Sequence, residues 1–431
     1  MRRRQRRSQA ATDGPSMTDY AFAASATGAA APPRLKGLQI ALLWLVGASG
    51  SIVFIEPSPY EFAVLLAMVV FAVSGGLRLA PALIVPIALL IGVELGYSVG
   101  ASELLDDPLI MNWLLTSWYM AITAMFFAMV ALQDSAERVD AIAHGYLIGG
   151  VIASLAGIAG YFNLVPGGSD LLTFAGRARG TFKDPNVLAA FLVFPAVYSL
   201  QRVIEGSFWS AVRNGIAFAI IALGIFLAFS RAAWGTVAAA SVLMTALMFI
   251  TAPTQNRRLR IVLLTAMAIV LVAVALAVLL SFSQIDTIFK ERASFNQPYD
   301  SGRFGRFGRH VLGAKMALDY PTGIGPLQFR RFFPEDTHNS FLNAFMSGGW
   351  ISGTLYPALV FLTAGYGLRN VFVRTPWQRT QIAIVSVMIV TLLESFIIDT
   401  DHWRHYFLLI GLTWSLAIAS SRVRLRSPAP T

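Results

Sequence analysis

The sequence predicts an all-α fold: a polytopic transmembrane helical bundle of about 12 spans with one long extramembrane loop. Three observations predict it. Of 431 residues, 56% are hydrophobic and 13% charged, where a soluble chain carries about 25% charge. Apolar runs of roughly 20 residues, the length that crosses hydrocarbon, recur along most of the chain. The 33 Lys and Arg fall mainly in the segments between those runs. The net charge of +10 therefore reads as membrane topology, and no nucleic-acid partner is expected. Cysteine is absent, which excludes disulfides and thiolate chemistry.

The elements follow in order. Residues 1–34 open on MRRRQRRS and continue in Ala, Ser, Thr, Gly and Pro. No apolar run follows the charges directly, so this reads as a disordered basic cytoplasmic tail that touches anionic lipid, not a cleaved signal. Residues 35–426 form the transmembrane domain. Spans are expected at 37–55, 60–77, 79–97, 109–131, 141–162, 186–204, 212–229, 231–251, 261–282, 339–366, 380–398 and 404–421. Glycines weaken the fifth. Two joins are tight enough to be hairpins, near Gly75–Leu79 and at Ser230–Arg231. The 283–338 segment, about 56 residues, is too long for a bare connection. Within it, RHVLGAKMALDY (309–320) reads as an amphipathic helix at the interface, and PTGIGP (321–326) as a turn.

With the tail in the cytoplasm, every inner loop holds an arginine, while the outer loops 56–60 and 98–108 hold none. That bias sets both termini inside and 283–338 outside. Thirteen basic residues remain outside, and they are concentrated: Arg177, Arg179 and Lys183 in 163–185, Arg231 at its hairpin, eight in 283–338, and Arg404.

Several outer segments carry candidate chemistry. In RGTFKDPNVLAAFL (180–193), Asp184 is placed as an N-cap with Pro185 at the first helical position. A helix start at Asn186 offers backbone N–H groups to an anion, with Arg179 upstream; plain capping with solvated basic residues is the other reading. Arg231, in SRAAWG, opposes the positive-inside bias. It either snorkels to headgroups or faces a wet cavity and an anion; Ala232, Ala233 and Gly235 favour close packing and the cavity. In SGRFGRFGRH (301–310), Arg303, Arg306 and Arg309 alternate with Phe304 and Phe307. Guanidinium forks suit phosphate oxygens, and a basic surface lying on headgroups is the alternative. His338 follows Glu335 and Asp336 and precedes Asn339, so an imidazole near carboxylates is available for proton transfer. Glu394, within the eleventh span, and Asp399, in the last outer turn, are expected to pair with one of the arginines, and with Glu335 and Asp336 they are the possible acids or structural partners. Glu94 is a weaker case. The five histidines show no metal-ligand spacing, so neither metal nor cofactor is expected.

These residues resemble a family. Arg179–Asn186 (an arginine, then G-T-F-x-[DN]-P-N), Ser230–Trp234 (S-R-[AG]-x-W) and His338–Leu342 (H-N-[SH]-[FY]-L) stand in the order found in the O-antigen ligase and polysaccharide polymerase superfamily of bacterial inner membranes. Ser301–Arg303 and Pro321–Gly325 lie between the last two. The resemblance spans roughly residues 140–420. It implies a GT-C-like, metal-independent, inverting glycosyltransferase with its site on the periplasmic side. The donor would be a glycan on undecaprenyl pyrophosphate, and the acceptor lipid A core or a growing glycan. His338, Arg231 and Arg179 would be catalytic. Arg303, Arg306, Asn186, Asn339 and Lys183 would bind substrate. One departure is Ser347, where the family commonly has glutamate. A ligase-like activity is expected, with a repeat-unit polymerase as the alternative. A transporter or flippase of lipid-linked sugar is less favoured, because no internal repeat is visible. A peptidoglycan glycosyltransferase of the shape-and-division type would not carry the His-Asn element.

Overall fold

The computed structural model describes residues 33–294, 300 and 302–426; most of the expected tail, together with Ser301, lies outside the described residues. The helices are α1 (Pro33–Ser49), α2 (Pro59–Val73), α3 (Ile84–Ala101), α4 (Pro108–Val130), α5 (Ser135–Tyr161), α6 (Gly168–Leu172), α7 (Pro185–Glu205), α8 (Phe208–Leu227) and α9 (Arg231–Thr251). They continue as α10 (Gln255–Leu279), α11 (Ser283–Ala293), α12 (Arg306–Asp319), α13 (Ser340–Asn370), α14 (Gln378–Glu394) and α15 (Arg404–Arg426). One two-residue hairpin, β1 (Thr173–Phe174) with β2 (Arg177–Ala178), interrupts them. The chain is therefore an all-α polytopic bundle.

Among the described residues nine helices are long and apolar enough to cross a membrane: α3 with its 3-10 lead-in, α4, α5, α7, α8, α9, α10, α13 and α15. The other three expected spans appear as α1, α2 and α14, of 17, 15 and 17 residues, short of the roughly 20 a full crossing takes. Helices α7 and α15 are 83% buried over their apolar windows and form the centre; α10 is 6% buried and stands at the periphery.

Two locks set the ends of the bundle. At one end, buried Arg138 donates to the carbonyls of Gly76 (2.8 Å) and Val130 (2.7 Å) and to Gln39 Oε1 (3.3 Å). Its guanidinium also lies 5.1 Å from the Phe71 ring centroid. At the other end, the loop end, segment 283–338 is held through a break in α13. Gly348 and Gly349 leave helical geometry there, Gly349 at φ 61° and ψ −155°. The freed backbone is answered by the 321–326 turn: Ile324 N–H donates to Met346 O (2.7 Å) and Trp350 N–H to Pro321 O (2.8 Å). Non-helical backbone at this depth needs such partners. The amphipathic helix expected at 309–320 is α12. It buries Gly313 and Ala317 against α13, and Arg309, one turn earlier, on Phe304 O and Glu335.

Candidate functional site

The candidate residues converge at the loop end. Arg231 opens α9 directly after the tight α8–α9 turn. Its guanidinium donates to Ser294 O (2.8 Å) and to Asp300 Oδ2 (3.0 Å). Arg306 opens α12 and pairs with the other carboxylate oxygen of Asp300 (3.2 Å). Two guanidinium groups, from elements 75 positions apart, thus share one carboxylate that is 13% exposed. Arg306 also donates to Ile397 O (3.3 Å), which ties this pair to the loop between α14 and α15.

That loop carries Asp399. Its carboxylate accepts from the Thr337 hydroxyl (2.8 Å) and from the backbone N–H groups of His338 (3.1 Å) and Asn339 (2.9 Å). His338 is held in the left-handed region at φ 47°, a costly conformation for a side-chain-bearing residue that persists only where surroundings over-determine it. The Asp399 bonds supply that constraint. They place the imidazole Nδ1 3.6 Å from Asp399 Oδ2 and Nε2 3.9 Å from Glu335 Oε2, with the ring 35% exposed. Burial alone raises the Asp399 carboxyl; the hydrogen bond and charge of His338, with Thr337 and the Asn339 N–H, outweigh it and hold the group below the usual carboxylate range. Glu335 is shared with buried Arg309 (2.7 Å). Burial raises the Asp336 carboxyl, against the opposing pull of Arg330 at 2.6 Å.

Other expected residues serve the scaffold. The Asn339 side chain caps α13, accepting from Phe341 and Leu342 N–H at 3.0 Å and donating to Phe396 O (3.0 Å). Glu394 accepts from the Thr236 hydroxyl (3.0 Å), joining the end of α14 to α9 five residues after Arg231. Lys183 pairs with Glu56 (2.7 Å). Arg303 is exposed and stands 5.6 Å from the Phe304 ring centroid. Asp184 caps α7, accepting from Asn186 N–H (2.7 Å), with Pro185 at the first position. Ser347 is buried and donates to Asn343 (3.1 Å), which in turn bonds Asp401 (2.6 Å).

Arg179 sits apart from this cluster in its contacts. It donates to the carbonyls of Asp170 and Leu171, each at 3.2 Å. The arginine that ties its segment to the site is Arg177, which the sequence reading did not single out. Arg177 is 8% exposed and donates to Ala228 O in the α8–α9 turn (2.8 Å) and to Asn186 Oδ1 (2.7 Å). Asp300 is the second residue missed. Among the described residues no three His, Asp or Glu side chains stand together as metal ligands.

Comparison with known proteins gives a partial match. No curated protein matches the chain. Residues 216–356 match a family model described as O-antigen ligase. The matched stretch runs from α8 into α13 and contains Arg231, Asp300, Arg303, Arg306, His338 and Asn339; Arg177, Arg179 and Asp399 lie outside it. Over residues 216–356 this multi-pass membrane protein is thus similar to the O-antigen ligase family.

Proposed function

We propose that this chain is a glycosyltransferase that moves a glycan from undecaprenyl pyrophosphate to an acceptor hydroxyl. The proposed setting is the periplasmic face of a bacterial inner membrane, with both termini cytoplasmic and lipid A core as the acceptor. One observation carries the reading: Arg231 and Arg306 converge on a single carboxylate, Asp300, beside the His338–Asp399 pair. Two guanidinium groups that each set one nitrogen against a shared carboxylate offer the charge and donors that phosphate oxygens take up.

In the reaction, the arginine pair takes the pyrophosphate in place of Asp300. The acceptor oxygen attacks the anomeric carbon from the opposite side, so configuration inverts. The bond from that carbon to the phosphate oxygen breaks, and its electrons leave on the lipid pyrophosphate. Arg231 and Arg306 stabilise the charge gathering there, which is why a divalent cation is not required in this reading. His338 accepts the acceptor's proton, and ionised Asp399 stabilises the imidazolium. Arg179 is proposed as a further cation at the rim, since Arg177 anchors its segment to the α8–α9 turn. Arg303 and Lys183, both exposed to solvent, are proposed to meet outer phosphate or sugar groups.

The test is a transfer assay with purified protein, undecaprenyl-pyrophosphate glycan and two acceptors, run with and without chelator. Glycan on lipid A core supports the ligase. Lengthening of the lipid-linked glycan itself would make the protein a polymerase. Arg231→Ala should lower kcat about 10²–10³-fold and His338→Ala about 10²–10⁴-fold. Full transfer by a well-folded Arg231→Ala protein refutes the anion site, and chelator loss restored by magnesium refutes the metal-free mechanism.

A further inference from the structure

At the end of the bundle away from the candidate site, three basic side chains stand at one depth. Gly150 of α5 packs on both α7 and α8: a Cβ there would meet Pro195 Cγ at 2.8 Å and Ile221 Cδ1 at 3.6 Å. From that contact toward the Arg138 end, α5 reaches His144 in six residues, α7 reaches Arg202 in seven and α8 reaches Arg213 in eight. Those steps are about 9–12 Å along the helices. The charges of Arg213 and Arg202, and that of Asp140 one turn away on α5, are all felt at the His144 ring. Asp140 is committed to α14, where it accepts from the Thr380 hydroxyl (2.8 Å).

His144 is exposed, on the side of α5 that meets the bilayer. Ile152 and Leu155, exposed apolar residues further along α5, share that side. The helices that flank it are α1 and α8. A Cβ on Gly145 would stand 2.0 Å from Trp44 O of α1, and a Cβ on Gly224 of α8 would stand 2.7 Å from Ser154 Oγ. Gly145 and Ser154 are turned roughly 80–100° to either side of His144, so the imidazole opens on the seam between α1 and α8.

Trp44 Nε1–H donates to His144 Nδ1 (2.9 Å). Nδ1 is thus the acceptor nitrogen, and the proton of the neutral ring sits on Nε2. Among the described residues no acceptor takes that N–H, and the exposed Arg213 guanidinium makes neither a hydrogen bond nor an ion pair. Helix α8 opens on Phe208 and Trp209, both exposed, an aromatic pair of the kind that marks a membrane surface. Arg213 is then about 6–8 Å inside that surface. A guanidinium and an unanswered N–H are costly at such a depth and are answered by an anion or by water.

We propose that this seam binds the phosphodiester of an anionic phospholipid, held by Arg213, Arg202 and His144 Nε2–H, with its acyl chains over Ile152 and Leu155. Guanidinium groups suit phosphate oxygens. Two arginines against one aspartate leave a positive excess, which favours an anionic head over a zwitterionic one. The depth of the three groups, on a side chain face turned to hydrocarbon, favours a phosphate carried by a lipid over a free ion. The site stands apart from the transfer centre and does not depend on the reaction proposed there.

The experiment offers the full-length protein in detergent equal amounts of phosphatidylglycerol and phosphatidylcholine and measures the bound lipids by native mass spectrometry. The native chain should prefer phosphatidylglycerol by at least about tenfold. The double variant Arg202→Gln/Arg213→Gln should bring that preference below about threefold. His144→Phe, which keeps a ring beside Trp44 and removes the donor, should weaken phosphatidylglycerol binding about threefold or more. Arg257→Gln/Arg374→Gln removes two exposed arginines from other loops at the same end, and it should leave the preference within about twofold of native. Equal binding of the two lipids by the native chain overturns the proposal. So does a preference kept by the Arg202/Arg213 variant, unchanged binding in His144→Phe, or an equal loss in the Arg257/Arg374 variant. Displacement of the lipid by inorganic phosphate at the same concentration would overturn the assignment to a lipid. A phosphatidylglycerol with a photoreactive acyl chain gives a second readout on the native protein: adducts on α5 or α8 support the seam, and adducts confined to other helices overturn it.

Discussion

At the residue scale, Asp399 does most to hold the candidate base in place. Three donors from 337–339 meet one carboxylate. Its folded-state pKa is depressed, so its stabilising contribution is complete above the unfolded value of about 3.9. That contribution is lost only as pH falls through the lower folded value. Asp399 therefore stays charged at neutral pH. Asp399→Asn should reduce transfer by about 10²-fold or more at neutral pH; transfer at the native rate by the folded variant would contradict this. Asp300 makes the opposite prediction. In the resting site it neutralises the arginine pair, and an incoming anion must displace it. Replacing it with asparagine exchanges a charge-assisted bond for a weaker neutral one. Asp300→Asn should tighten inhibition by inorganic pyrophosphate roughly tenfold, whereas weaker inhibition would make Asp300 a holder of the pair. Asp300 was not legible in the sequence because it lies in no motif and its role depends on two helix starts meeting in space. Arg177 was missed for a related reason. Arg177 and Arg179 both lie between Gly176 and Gly180, and the pairing Phe174↔Arg177 decides which is buried.

At the element scale, the break in α13 is the main departure from the sequence expectation of one continuous span. The Ser-Gly-Gly at 347–349 hints at weakness, and the 321–326 turn is legible from Pro321, Gly323 and Gly325. That the two satisfy each other's backbone is a long-range fact with no local signal. Gly349 is required there. Its φ of 61° disfavours other residues, and an added Cβ would stand 2.1 Å from Pro321 O. Gly349→Ala should destabilise the folded protein by about 1–3 kcal/mol or more, seen as a lower unfolding temperature in detergent. An unchanged temperature would show that the break tolerates repacking. Elsewhere local chemistry was sufficient: Asp184 and Pro185 start α7 where the capping pattern put them, and a short turn falls at Ser230–Arg231, but Gly235 faces open space and makes none of the close packing expected of it.

At the scale of the whole molecule, hydropathy and arginine spacing carried the all-α bundle and the placement of its long helices. Span number was less legible because α1, α2 and α14 combine apolar content with short length. The absence of cysteine makes the topology directly testable. Single replacements Arg303→Cys and Arg257→Cys should label from opposite sides in intact spheroplasts. A membrane-impermeant maleimide should reach only the first, and labelling of Arg257→Cys alone would invert the orientation.

Peripheral helix α10 connects this scaffold to the bilayer itself. Only Ile261 among its residues is buried. Near that end, Arg260 holds the Gly206 carbonyl. At the other end Leu279 and Leu280 pack into the cluster of Leu227, Phe229 and Ile285 beneath the α8–α9 turn. The long middle is exposed. Such a helix answers a thicker or thinner membrane by changing its tilt. Helix α11 follows α10 and ends beside Ser294, whose carbonyl takes an Arg231 N–H. A path of contacts thus runs from the exposed rim of the bundle to the arginine pair, and changing the slant of α10 would be felt at Arg231 before it reached the buried core.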